Sequence, residues 1–179
     1  MFVRQWTFVI AIVFALGMTV GTQLPPRHAM VPTDVAVYFT PGTECEDRII
    51  AELARATTVD IAVYSITNPK IADAIIAAHR RGAMVRIITD RTMAGHKSSL
   101  IDELSAAGIP VRTNRRHKIE HNKFAIFDNQ RIVTGSYNWT AAATKSNSEN
   151  CIFLPAPAQE YAKRFEVLWR TYYKKLNDR

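Results

Sequence analysis

From Val35 onward, apolar residues fall into two rhythms that take turns along the chain. Short, nearly continuous apolar runs predict strands at Val35 to Phe39, Val59 to Tyr64, Met84 to Thr89 and Asn150 to Leu154. Between them, apolar residues recur at three- and four-residue spacing, which predicts helices. One covers Glu44 to Ala56 with Ile49, Ile50, Leu53 and Ala54 inward. A second is capped by Thr67 or Asn68, has Pro69 in its first turn, buries Ile71, Ala74, Ile75 and Ala78, and stops at Gly82. A third runs from Ser98 to Ala107, before a short strand opening at Val111. The last spans Pro155 to Asn177, with Tyr161, Phe165, Leu168, Trp169 and Tyr172 on one side as a core-packing stripe. Two further apolar runs, Phe124 to Phe127 and Ile132 to Val133, flank the polar turn Asn129, Gln130, Arg131 and read as a β-hairpin. Alternating strands and helices at this spacing predict one α/β domain over residues 34–179, a mixed β-sheet flanked by helices on both faces.

The first 33 residues do not share that rhythm. Arg4 precedes an uncharged apolar run from Trp6 to Val20, and small residues lead up to Gly21. Residues 1–21 therefore read as a signal peptide or an N-terminal membrane anchor, and residues 22–33, with Pro25, Pro26 and Pro32, as a linker. With Arg4 held inside, either case puts the domain outside the cytoplasm: periplasmic, secreted or membrane-anchored, or on a mitochondrial surface.

Lys and Arg total 23 against 16 Asp and Glu, and this net +7 favours an anionic partner, nucleic acid or an acidic membrane surface. The apolar fraction, 47%, excludes a disordered chain. Cys45 and Cys151 lack zinc-site spacing, so no structural metal is implied; two core thiols or a single disulfide both fit.

The hairpin carries the chemistry. His121 and Lys123 are two apart, so their side chains leave one face of a strand. The returning strand ends in Gly135-Ser136-Tyr137-Asn138, bringing Ser136 and Asn138 back to the same end. A nucleophile or base, a fixed cation, a hydroxyl and an amide around one small volume make a phosphate pocket that needs no metal. Asp128 lies five positions past Lys123, on the turn, where bracing the hairpin is at least as reasonable as chemistry. Arg112, Arg115, Arg116, His117 and Lys118 form a basic run just before the pocket, placed to grip a nucleic-acid backbone. Tyr137 and Trp139 flank Asn138 and are candidates to stack on a base, although packing against the domain is the commoner fate of such residues. His79 reads as a solvated helix end, and His96 with Lys97 as a surface loop.

H-x-K-x(4)-D from His121 to Asp128, followed by G-S-x-N at residues 135–138, resembles the signature of the phospholipase D superfamily. Asn147-Ser148-Glu149-Asn150 resembles that family's downstream motif, in which a Glu supports the catalytic His. Within the family the chain is similar to short, single-motif bacterial endonucleases and related mitochondrial members. The resemblance implies a phospholipase D-like sandwich, no cofactor, and a covalent phosphohistidine at His121. It also implies that Lys123, Asn138 and Ser136 hold the phosphoryl oxygens, and that Glu149 bonds the other ring nitrogen of His121. Larger members carry two motifs and this chain carries one, so a second histidine is expected from a second copy, in a homodimer with the active site at its interface. The function implied is a metal-independent endonuclease acting on DNA or RNA. The alternatives are a hydrolase of anionic phospholipid and, in another class, a nucleic-acid-binding protein without catalysis.

Overall fold

A computed structural model describes residues 35–155 and 158–173. The expectations for residues 1–33, signal peptide or anchor and linker, lie outside the described residues. Seven strands form one mixed sheet: β1 (Ala36–Phe39), β2 (Thr58–Val63), β3 (Met84–Thr89), β4 (Val111–Thr113), β5 (Lys123–Phe127), β6 (Arg131–Gly135) and β7 (Asn150–Leu154), in the order β1-β7-β6-β5-β2-β3-β4. β2, β3 and β4 run parallel to one another, whereas β5 pairs antiparallel with β2 and the pairs β5–β6, β6–β7 and β7–β1 are antiparallel too. The central pair, β2 with β5, therefore joins a parallel half to an antiparallel half.

Period-two alternation sorts the strand residues between two cores. On one face Val59, Ile61 and Val63 of β2 and Ala125 and Phe127 of β5 meet α1 (Glu44–Arg55) and α2 (Pro69–Arg80). On the other, Ala62, Phe124, Ile126 and Ile132 meet Phe165 and Leu168 of α6 (Gln159–Thr171) and Tyr172, which caps its C-terminus. Helices thus cover both faces, as the sequence pattern predicts. Burying Phe165 and Leu168 contributes about 1.5–3 kcal/mol apiece. Polar contacts fix the angle of α6. Arg86 of β3 bridges Asp60 (2.7 and 2.8 Å) and Glu166 (2.7 Å). Arg112 of β4 lies 4.0 Å from the centre of the Trp169 ring.

Several elements depart from the sequence reading. The helix expected over residues 98–107 is the shorter α4 (Ile101–Ala106). The loop expected after Asp90 begins with a separate turn, α3 (Arg91–Ala94), because the Asp90 carboxylate accepts hydrogen bonds from Thr92 N and Met93 N. An unexpected short helix, α5 (Ala141–Lys145), is capped in the same way by Thr140. In α1 Ala54 faces solvent, while Glu46 and Glu52 are buried instead, neutralised by Lys70 and by Arg55 and Arg131. The last helix is confined to Gln159–Thr171; residues 156–157 and 174–179 of the expected span lie outside the described residues. Cys45 and Cys151 are joined in a disulfide linking the first turn of α1 to β7, which settles the choice left open by the sequence.

Candidate active site

The site forms where β2 ends and β5 begins. Val63 pairs with Lys123, and Tyr64 N donates to Asn122 O at 2.9 Å, so the chain just before Lys123 is pinned to the end of β2. This puts His121 on Tyr64, with ring centroids 4.8 Å apart. Lys123 Nζ lies 3.3 Å from His121 Nδ1, 3.0 Å from His121 O, and 5.4 Å from the centre of the Tyr64 ring. The expected His121–Lys123 pair is therefore together. Because an ammonium only donates, Nδ1 is the acceptor in this pairing. Burial holds the Lys123 pKa below its ordinary value, and the carboxylates of Glu149 and Glu120 pull the other way.

The segment carrying His121 is clamped from three sides. Glu120, 2% exposed, donates its backbone N–H to the Asp90 carboxylate (3.1 Å). Its own carboxylate accepts from Asn122 Nδ2 (2.5 Å) and from the hydroxyl of Tyr172, the C-cap of α6 (2.8 Å). Tyr172 OH donates to that carboxylate, so it must accept from His117 Nδ1, 2.5 Å away. Burial first, then Glu120, raises the Tyr172 pKa and keeps the hydroxyl a donor.

On the returning strand, Gly135 (φ 145°) passes so close to β7 that a Cβ there would meet Asn150 O at 2.3 Å. The turn beyond it is fastened to the same residue: Ser136 N and Tyr137 N donate to Asn150 O, and Ser136 Oγ accepts from Asn150 N (3.0 Å). Asn138 Oδ1 is buried without a hydrogen-bond partner, a state that folded proteins mostly avoid away from functional sites. Glu149 Oε1 accepts from Asn147 Nδ2 (3.0 Å), and Glu149 makes no hydrogen bond to His121 here.

Asp128 stands at the other end of β5. One of its oxygens accepts from Thr57 N, Thr57 Oγ1 and Thr58 N (2.8, 2.8 and 3.1 Å), the other from Arg131 Nη2 (2.7 Å). Asp128 and Asn129 form the turn at φ 52° and 54°, the left-handed backbone that Asp and Asn tolerate best among non-glycine residues. Arg115, Arg116, His117, Lys118 and Ile119 are all exposed in the loop leading to the site. Trp139, a candidate for stacking, is 1% exposed: its indole packs in the core beneath the turn and leaves no face for a base. Tyr137 is likewise buried and bonds Thr144 Oγ1.

A cavity of about 380 Å³ opens from His121 and Lys123 across Phe124, Thr134 and Gly135 to Glu160, Tyr161 and Arg164 of α6. Neither Tyr64 nor this α6 wall was evident from the sequence. Tyr64 closes an apolar strand and Tyr161 belongs to an apolar stripe; only the strand order brings them to His121. Among the described residues no cluster of three or more His, Cys, Asp or Glu is arranged to hold a metal ion.

Comparison with known proteins agrees with this geometry. The family described as "Cardiolipin synthase, PLD-like domain" matches residues 49–169. A mitochondrial cardiolipin hydrolase of Chlamydomonas reinhardtii is 39% identical over 125 residues, 68% of this chain and 56% of that protein. A phospholipase D of Rickettsia felis is 36% identical over 126 residues, 70% of this chain and 63% of that one. The chain thus spans somewhat more than half the length of these relatives. Among solved structures, the phospholipase D family member Nuc of Salmonella typhimurium superimposes with a TM-score of 0.74 at 28% identity, covering 79% of this chain and 97% of Nuc. NucT of Helicobacter pylori shares the fold, with a TM-score of 0.71 at 24% identity over 76% of this chain and 96% of NucT. The fold, the motif and the pairing of His121 with Lys123 agree on one conclusion: the chain belongs to the phospholipase D-like family.

Proposed function

We propose that the protein is a metal-independent endonuclease that cleaves nucleic acid through a phosphohistidine at His121. The observation that carries this reading is the His121–Lys123 contact at the mouth of the cavity, beside the exposed cationic loop Arg115 to Lys118. Attack through Nε2 needs the ring proton on Nδ1, so Lys123 must leave Nδ1 as substrate binds. A phosphoryl oxygen is the natural acceptor for its ammonium, and Glu149, whose charge already acts on Lys123, is the base suited to take the Nδ1 proton's hydrogen bond. The Nε2 lone pair then forms the P–N bond as the P–O bond to the leaving group breaks. The departing alkoxide takes a proton from the His121 of a second copy. That same imidazole removes a proton from water, whose oxygen displaces His121 from phosphorus. Ser136 and Asn138 serve as donors to the phosphoryl oxygens. Asp128, at the far end of β5, acts as a brace.

The twofold partnership supplies the acid that one histidine cannot be while it is the nucleophile. Export fits the Cys45–Cys151 disulfide, which persists in oxidising compartments. A second reading, hydrolysis of anionic phospholipid, is favoured by one feature: Ile119 is 50% exposed beside four basic residues, and Phe39, 70% exposed, stands on β1 one residue before Thr40, which bonds Glu149. The deciding experiment is cleavage of plasmid DNA, single-stranded DNA and RNA in excess chelator by the full chain and by His121→Ala. Cleavage by the wild type alone is expected, with a loss of at least about a hundredfold in the variant. Cleavage that requires a divalent metal, or that survives the substitution, would refute the reading.

A further inference from the structure

α6 does more than cover a core. Its first turns form the wall of the cavity opposite His121 and Lys123, through Glu160, Tyr161 and Arg164. Two contacts hold that wall in place. Tyr161 packs edge-on against Phe124, the residue after Lys123, with centroids 5.0 Å apart. At the helix's other end the Tyr172 hydroxyl bonds Glu120, the residue before His121. The helix is therefore tied on both sides of the catalytic pair, and Arg164, three positions beyond Tyr161, shares that side of α6. Its charge is near enough to Tyr172 to act on that hydroxyl.

The two cations of the cavity differ in their engagements. Lys123 is held on the nucleophile, by Nδ1 and the carbonyl of His121. Arg164 makes no ion pair or side-chain hydrogen bond among the described residues, and the neighbouring Glu160 carboxylate is taken by Lys163 at 2.7 Å. A free guanidinium offers a planar fork of donors suited to a phosphate, and here it is carried on a helix tied down at both ends. The scissile phosphoryl group is served by Lys123, so an anion bound at Arg164 belongs to another part of the substrate. In a nucleic-acid strand the next charged group along is the adjacent phosphate, and the basic loop Arg115 to Lys118 marks a strand's further course.

We propose that the α6 wall, anchored by Arg164, is a subsite for the phosphate that flanks the scissile one in a nucleic-acid strand. The proposal rests on the nuclease reading above, and its test separates the two. The full chain and Arg164→Gln are assayed on two kinds of substrate. Bis(p-nitrophenyl) phosphate and the dinucleotide TpT carry one phosphate each; the tetranucleotide TpTpTpT carries flanking ones. The variant should lose about tenfold in kcat/KM on the tetranucleotide, the scale of one charge-assisted contact, and less than about twofold on the single-phosphate substrates, with an unchanged melting temperature. Equal loss on all three would place Arg164 at the scissile group and overturn the proposal, as would no loss on any. Vesicles of cardiolipin, with two phosphates, and of phosphatidylglycerol, with one, complete the set. Arg164-dependent hydrolysis of cardiolipin without cleavage of either oligonucleotide would assign the second phosphate to a lipid and overturn the strand subsite. Cleavage of bis(p-nitrophenyl) phosphate with neither strand nor lipid cut would overturn the subsite and the nuclease reading together.

Discussion

Asp128 belongs to the family motif, yet its surroundings are those of a brace, and the substitution Asp128→Asn separates the two roles. Folding lowers its pKa from 3.8 to about 2; burial resists that shift, and the Thr57 and Thr58 donors with Arg131 outweigh it. The folded state thus binds this proton less readily than the unfolded chain does. The stability it supplies is complete above the unfolded value and is lost as pH falls through the folded one. At about 1.36 kcal/mol per unit the ceiling is roughly 2–3 kcal/mol. The side chain remains 23% exposed, so screening by water reduces the expected contribution to about 1–2 kcal/mol. Asn keeps one acceptor for Thr57 and Thr58 and tolerates the left-handed backbone, so the substitution removes the charge and, with it, the acceptor for Arg131.

Urea denaturation of the wild type and Asp128→Asn should therefore differ by about 1–2 kcal/mol near neutral pH, and the gap should close as pH approaches about 2. Turnover of the folded variant on bis(p-nitrophenyl) phosphate should stay within about twofold of wild type, because five residues of extended strand place Asp128 roughly 16 Å from Lys123. A gap that persists at low pH would refute the charge argument. A hundredfold fall in kcat with an unchanged denaturation midpoint would refute the structural role, since losses of that size mark groups that act on reacting atoms.

Tyr172→Phe deprives the buried Glu120 carboxylate of a donor and His117 of an acceptor; the expected loss is about 1–3 kcal/mol in urea denaturation, with faster hydrogen exchange at the His121 and Asn122 amides. Unchanged exchange there would mean that α6 does not steady the segment carrying His121. The disulfide closes a loop between residues 106 apart, for which loop-closure entropy predicts a contribution of about 3–5 kcal/mol. Cys45→Ser/Cys151→Ser should lose that much and wild type in reductant should melt like the variant; a melting curve indifferent to reductant would contradict a stabilising bond.

Which parts of this protein could be read from the chain follows from how far each depends on contacts distant in sequence. Strands β2 and β3 and helix α2 were legible because a short apolar run, an Asn68-Pro69 start and a Gly82 stop are local signals that tertiary packing reinforced. The pairing of His121 with Lys123 was legible for the same reason, since strand alternation alone puts them on one face. α3 and α5 were missed because each is a single turn made by a capping side chain, with too few residues for periodicity to register. For Trp139 the sequence left stacking and packing both open, because a residue beside a motif looks available; packing won, since the turn carrying it is folded inward, with Trp139 N on Ser65 O and Thr67 N and Asn68 N on Trp139 O. The α6 wall lay hidden for a related reason. Tyr161 and Tyr172 fit a core-packing stripe, and they do pack, Tyr161 beside the core and Tyr172 within it. Their second role exists because the sheet order sets β5 beneath α6, so one stripe both fills a core and holds the two residues that flank His121 and Lys123.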